Sequence, residues 1–458
     1  MKAQLTVGII LLSVVTTSSA QLPEECKPPA SMQQTIRDDP SAKTYAVAGS
    51  WFLHHDNLKC AEASLEEAVR LAKVAREKAD PQLISALGDL GVLRANKGDT
   101  EGAERLFRRA IDYDPNYEQG HVNLALILAK KQKFAEAEAE VDKALKLAPG
   151  DVPALEAAGR VKARLGKSVE GIALLRKAVA LKPESATAHL DLGMVLAESY
   201  DLEGALTENS EAVRLAPGSA FAHLNRGRVL FDLGRKAEAR PDLESASRLA
   251  PEMPEPYFFL ALIAKEDGQY KHAVTLLQTV VKLEPRHATA WYLLGQSLEQ
   301  TSQTKAAIAA WRQAVAIEPN YSQALWNLAR AVKPDDPEEA ARFMARYSEL
   351  QKKRLAVDQA GTLGNDALAA GRAHDWPEAI RQFKKAIEVC GDCAIKADLH
   401  KKLGVTECQM GDIENGEKEL RLAQALKPAD SDIEQALERI AAVRTKRVAS
   451  RPASGKPH

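Results

Sequence analysis

The chain has 458 residues, of which 45% are hydrophobic and 27% charged, with 62 Lys plus Arg against 63 Asp plus Glu. That composition excludes disordered, collagenous and multi-span membrane classes. The formal net charge of -1 argues against a strongly electrostatic nucleic-acid binder, which carries a basic excess, and five cysteines are too sparse for a small disulfide scaffold.

Lys2 precedes an apolar run from Leu5 to Val15, and Ser18 and Ala20 follow as the small residues of a cleavage site. This is the arrangement of a secretory signal peptide. The run is about eleven residues, whereas a bilayer-spanning helix takes about twenty. Cleavage after Ala20 is therefore expected, with the mature chain periplasmic or secreted. No later stretch is apolar enough to span a membrane.

From residue 42 onward a period governs the sequence. Pro115, Pro149, Pro183, Pro217, Pro251, Pro285 and Pro319 recur at a spacing of 34, each closing an Ala/Leu-rich segment. Small residues keep register with them. Ala110, Ala144, Ala178, Ala212, Ala246 and Ala314 lie five before proline, and Gly91, Ala125, Gly159, Gly193, Gly227, Ala261 and Gly295 lie twenty-four before. Gly98, Gly166, Gly234, Gly268 and Gly411 fall midway, where a first helix must stop and turn. Small residues let two helices approach closely, and the proline ends the second one.

This pattern resembles the tetratricopeptide repeat, a 34-residue helix–turn–helix unit. The clearest copy carries Trp291, Leu294, Gly295, Leu298, Ala307, Trp311, Ala314 and Pro319. Copies start at Ile84, Glu118, Val152, Ala186, Ala220, Pro254, Ala288 and Ser322, with weaker ones at Ala42, Ala360 and Ala397. The resemblance implies an all-α fold, a right-handed helical-repeat solenoid of about eleven units. Its stacked repeats share one core, because none can bury its apolar face alone. The expected organisation is a signal peptide over 1–20, an N-terminal segment over 21–41 and a repeat stack over 42–333. An irregular joint over 334–359 follows, where Lys333-Pro334-Asp335-Asp336-Pro337 breaks the register. A repeat pair over 360–430, a capping helix over 431–447 opened by Ser431 and Glu434, and a basic disordered tail over 448–458 complete the chain.

Chemistry-bearing motifs are scarce. Gly166-Lys167-Ser168 lacks the earlier glycine of a phosphate-binding loop, since Val161 stands there. His121, His189, His223 and His400 recur at one repeat position. Equivalent positions in neighbouring repeats lie too far apart to share an ion, and the family carries an aromatic residue at this place, so an interhelix packing role is expected. Cys390-Gly391-Asp392-Cys393 reads as a local disulfide or as unpaired thiols, and least of all as a redox pair, for lack of a βαβ setting. Cys26 and Cys60 are placed to pin the N-terminal segment to the first repeat, which leaves Cys408 as the odd thiol. No residue pattern points to catalysis, a metal or a cofactor.

By family resemblance, helix-A positions 2, 5, 6, 9, 12 and 13 line a concave face. An apolar strip of Phe258, Phe259, Leu262, Tyr292, Leu293 and Trp326 is expected there, beside an amide and acid ladder of Asn123, Asp191, Asn225, Asn327 and Asn365. Aromatic anchors and amides suit an extended peptide. The reading is a non-catalytic envelope scaffold binding an unidentified protein segment in this groove. The alternatives are a carbohydrate- or glycosyltransferase-associated module and a self-associating spacer.

Overall fold

The structure, a computed structural model, describes residues 22–75 and 81–449. The signal-like stretch and residues 450–458 of the basic tail lie outside the described residues. Within them all regular structure is helical, in 23 helices.

Helix starts fall where the repeats were counted from: Ala42, Glu118, Val152, Ala186, Ala220, Pro254, Ala288 and Ser322. Local chemistry sets these boundaries. Asp151, Ser185 and Ser219 accept the amide N–H of Ala154, Ala188 and Ala222, which would otherwise lack a partner in the first turn. First helices stop at a left-handed residue: Gly98, Gly166, Gly234 and Gly268 have φ between +73° and +84°. Gln132, Tyr200 and Ser302 take the same turn at φ 61°, 64° and 61°. These side chains bear a cost that glycine avoids.

Helix pairs pack through the small-residue columns. A Cβ on Gly91, Gly159, Gly227 or Gly295 would come closer than 3.0 Å to Phe107, Leu175, Leu243 or Trp311 respectively. Each glycine thus admits one large second-helix side chain, and all four of those side chains are fully buried.

The chain divides into two compact units, one ending at Ile263 and the other beginning at Ala264, within helix Pro254–Glu266. In the first, Tyr45, Phe52 and Leu65 form one core cluster and Phe107, Leu124, Leu128 and Val141 another. A Cys26–Cys60 disulfide ties the N-terminal segment, with its short helix Ala30–Asp38, to the 18-residue helix Leu58–Ala75. In the second unit, Phe383, Leu399 and Leu403 centre a cluster. Cys390 and Cys393 are bonded and Cys408 is free.

The joint expected over 334–359 is instead helical. Asp336 caps a helix with Pro337 in its first turn, and the helix runs unbroken for 36 residues, Pro337–Arg372. It is at once the second helix of the Ser322 repeat and the first helix of the Ala360 repeat. The reason lies in what is missing. Lys353 stands where the 34-residue spacing calls for proline, and no Gly or Pro occurs between Pro337 and Gly361. The turn signals at 333–337 end the preceding helix but open another at once. The final helix, Ser431–Ala449, starts as expected, although the carboxylate of Asp430 takes the cap by accepting the Asp432 and Ile433 amides.

Candidate functional site

Positions 5 and 6 of a first helix lie about 100° apart, and the structure separates them. In three copies residue 5 faces outward while residue 6 turns into the core. Leu190, Tyr292 and Trp326 are accessible, whereas Asp191, Leu293 and Asn327 are buried. The expected strip and ladder therefore do not form one displayed surface.

In the first unit, Phe258, Phe259 and Leu262 are half-buried. Phe259 packs edge-on against Phe231 at 5.4 Å and lies 6.0 Å from Phe258. The ladder amides are engaged locally. Asn225 Nδ2 donates to the Phe221 carbonyl at 2.8 Å, and Asn123 Oδ1 accepts from Gln119 at 3.3 Å. In the second unit Asn365 is exposed on the long helix.

Asp191 is the odd member. It is 3% exposed, its Oδ2 has no hydrogen-bond partner, and Arg160 Nε lies 3.4 Å away. Burial pushes its carboxyl up to about 6, with Arg160 pulling down and Glu156 pushing up. Burial thus outweighs the ion pair. A carboxyl raised above its unfolded value of about 3.9 stabilises the fold fully below about pH 4, and that contribution is lost as the pH rises through about 6. Asp191→Asn, the residue type found at Asn123, Asn225 and Asn327, should therefore add about 2–3 kcal/mol at pH 7.5. It should also flatten the stability profile between about pH 4 and 6. Denaturant titrations across that range check this; an unchanged profile would refute it. Glu118 is likewise pushed up, to about 7, by burial and by Asp151.

A cavity lined by several of the expected groove residues lies in the second unit. Tyr292 and Gln296 of helix Ala288–Gln300, Trp326 and Asn327 of helix Ser322–Val332, and Tyr347, Gln351 and Arg354 of the long helix surround a cavity of about 390 Å³, with Ser322 and Gln323 at its edge. Trp326 is 43% exposed, with the Arg330 guanidinium 5.2 Å above its ring. Gln296 Nε2 donates to the Tyr292 hydroxyl at 2.6 Å, and Gln296 Oε1 accepts from Lys265. Tyr321 lies 5.0 Å from the Tyr292 ring. Burial and Tyr321 raise the Tyr292 hydroxyl, while burial lowers the Lys265 ammonium. Behind them the buried Trp311 indole donates to the Tyr292 carbonyl at 3.1 Å.

This lining combines aromatic faces with amides, hydroxyls and one guanidinium. It can grip an extended chain by stacking and by backbone hydrogen bonds. Gln296 and Gln323 sit at positions 9 and 2, which the family resemblance already assigned to the concave face. Tyr347, Gln351 and Arg354 were missed, although their spacing of four and three is helical. Among the described residues no His, Cys, Asp or Glu cluster could hold a metal, and no helix is long and apolar enough to cross a membrane. The four recurrent histidines do not converge; each is bonded within its own repeat region. Gly166-Lys167-Ser168 is an interhelix turn.

Paired helices in register, repeated along the chain and offering a side-chain-lined inner face, define a helical-repeat interaction scaffold. The chain belongs to the tetratricopeptide repeat family, whose profile matches residues 89–152, 156–220, 224–270 and 260–322. Solved structures similar to it include a tetratricopeptide repeat protein from Parabacteroides merdae, at 17% identity over 59% of this chain and 100% of that one, TM-score 0.44. PilF of Pseudomonas aeruginosa shares 20% identity over 44% of this chain and 92% of its own, TM-score 0.42. A thermophilic repeat protein from Thermus thermophilus shares 24% over 40% and 99%, TM-score 0.36. No curated protein matches the chain.

Proposed function

We propose that this protein is an exported, non-catalytic scaffold that holds an extended segment of a partner protein on its helix-A face, anchored at the Trp326 cavity. The observation that carries the reading is the cavity itself: an exposed indole flanked by Tyr292 and Tyr347, with Gln296, Gln323 and Gln351 offering amide donors and acceptors around it. Aromatic side chains at the centre of such a surface supply most of the binding energy in protein interfaces. Export rests on the N-terminal Lys2-to-Ala20 pattern, and the bonded Cys26–Cys60 and Cys390–Cys393 pairs suit an oxidising compartment.

Trp326→Ala combined with Tyr292→Ala should weaken partner capture by at least about 30-fold, on a loss of about 2 kcal/mol or more from such anchors, while helicity stays unchanged. In-envelope crosslinking with mass spectrometry, run beside circular dichroism, makes the measurement. Undiminished recovery of the same partners would discard the anchor.

A further inference from the structure

The recurrent histidines share one geometry. His121 Nδ1 lies 2.6 Å from Glu140 Oε2 and its Nε2 lies 3.0 Å from the Pro115 carbonyl. His189 repeats this with Glu208 at 2.6 Å and Pro183 at 3.0 Å. His223 does so with Asp242 at 2.7 Å and Pro217 at 3.1 Å. His400 meets Glu419 at 2.6 Å. The acid always stands 19 residues after the ring, on the repeat's second helix, and at the first three the carbonyl stands 6 before it, in the preceding loop.

The acid accompanies the imidazole and nothing else. Where the first helix carries another residue, its counterpart 19 on is never an acid: it is apolar for Leu87 with Leu106, Leu155 with Leu174, Tyr257 with Leu276, Trp291 with Ala310 and Leu325 with Met344, and neutral polar for Tyr45 with Ser64 and Leu363 with Gln382. Trp291 is the informative case. Its indole donates to the Pro285 carbonyl at 2.9 Å, as the histidines do, yet it has Ala310 and no acid. Packing and the carbonyl bond can therefore be met without a carboxylate.

Proton counting gives the difference. A carbonyl only accepts, so Nε2 must carry hydrogen; an ionised carboxylate also only accepts, so Nδ1 must carry one too. Each unit with both contacts thus holds one proton more than a neutral ring beside an ionised acid, whereas His400, with the acid alone, needs only one N–H. We propose that the three histidine–carboxylate units at His121, His189 and His223 are proton-loaded clamps, taking up a proton on folding to fasten first helix, second helix and the preceding loop, so that the repeats bearing them loosen as pH rises.

The surroundings place the extra proton on the ring. Burial pushes the Glu140 carboxyl up, but hydrogen bonds from Lys143 and His121 outweigh it and hold the group low. Glu118 also faces His121. Glu211, bridged to Arg214, faces His189. Arg226 donates twice to Asp242 at 2.6 Å beside His223.

Two measurements on the full chain test the proposal. Nitrogen-15 NMR of the histidine rings at pH 7.5 should show two ring N–H groups on each clamp histidine; a single N–H on the clamp rings overturns it. Replacing the clamps by the chain's own apolar pair (His121→Leu with Glu140→Leu, and likewise for His189 and His223 with their acids) should leave a melting midpoint that falls less between pH 6 and 9. The native protein should lose roughly 5 °C more than this variant, and equal losses overturn the proposal. Should the variant not fold, the ring spectra of the native chain decide.

Discussion

Replacing Asn209 with leucine should stabilise the protein by about 2–3 kcal/mol. Asn209 is fully buried, and neither its amide nitrogen nor its amide oxygen has a hydrogen-bond partner. It occupies a second-helix column otherwise filled by Phe107, Val141, Leu175, Leu243, Leu277 and Trp311. Its side chain lies against Gly193 just as Leu175 lies against Gly159 and Leu243 against Gly227. Leucine has the same branching and is the residue this column already seats against Gly159 and Gly227, so the swap removes an uncompensated amide and adds apolar contact. Equilibrium unfolding in urea reads the change as a higher midpoint at unchanged slope. A midpoint that stayed or fell would mean the amide is satisfied in solution.

Trp311→Ala should act in the opposite direction and harder, costing about 3–5 kcal/mol. Trp311 is fully buried against Gly295, in a space that a Cβ on residue 295 would invade, and its indole N–H is spent on the Tyr292 carbonyl. Truncation empties the largest buried side chain and frees a backbone acceptor on the helix that carries Tyr292 and Gln296. Trp311→Phe keeps most of the volume but forfeits the bond and should cost about 1–2 kcal/mol. Ordering the two variants by thermal midpoint separates cavity from hydrogen bond; equal losses would show that the bond dominates.

The proline period and the small-residue columns made the repeats legible before any coordinates, because close helix approach and helix termination each demand particular residue types. Gly91, Gly159, Gly227 and Gly295 could be read as approach points without knowing that Phe107, Leu175, Leu243 and Trp311 fill them. The stretch over 337–360 misled because stop signals were sought and their absence looked like disorder of register; a missing stop is an instruction to continue. The concave site was legible in part. Trp326 and Tyr292 follow from position 5, but Leu293, Asp191 and Asn327 are turned inward by a rotation that a linear list of positions hides. Tyr347, Gln351 and Arg354 could not be placed while their helix was not. The acid 19 residues after each histidine was visible in the sequence, yet it means something only once the two helices are paired.

The helix Pro337–Arg372 has a consequence for how this protein can change in length. Between Ala340 and Ala360 no residue of it is buried, so the fold tolerates substitutions there, the cavity residues Tyr347, Gln351 and Arg354 apart for binding. An insertion or deletion is not equivalent to a substitution. One added residue would swing the Ala360 repeat and everything fastened to it by about 100° around the helix axis and push it about 1.5 Å along. The proline-ended connections elsewhere can take up an extra residue as slack, whereas this rod converts it into torsion. Away from the three cavity residues, sequence in the segment is therefore free to drift while its residue count is fixed, save for additions close to whole turns, such as seven or eleven residues.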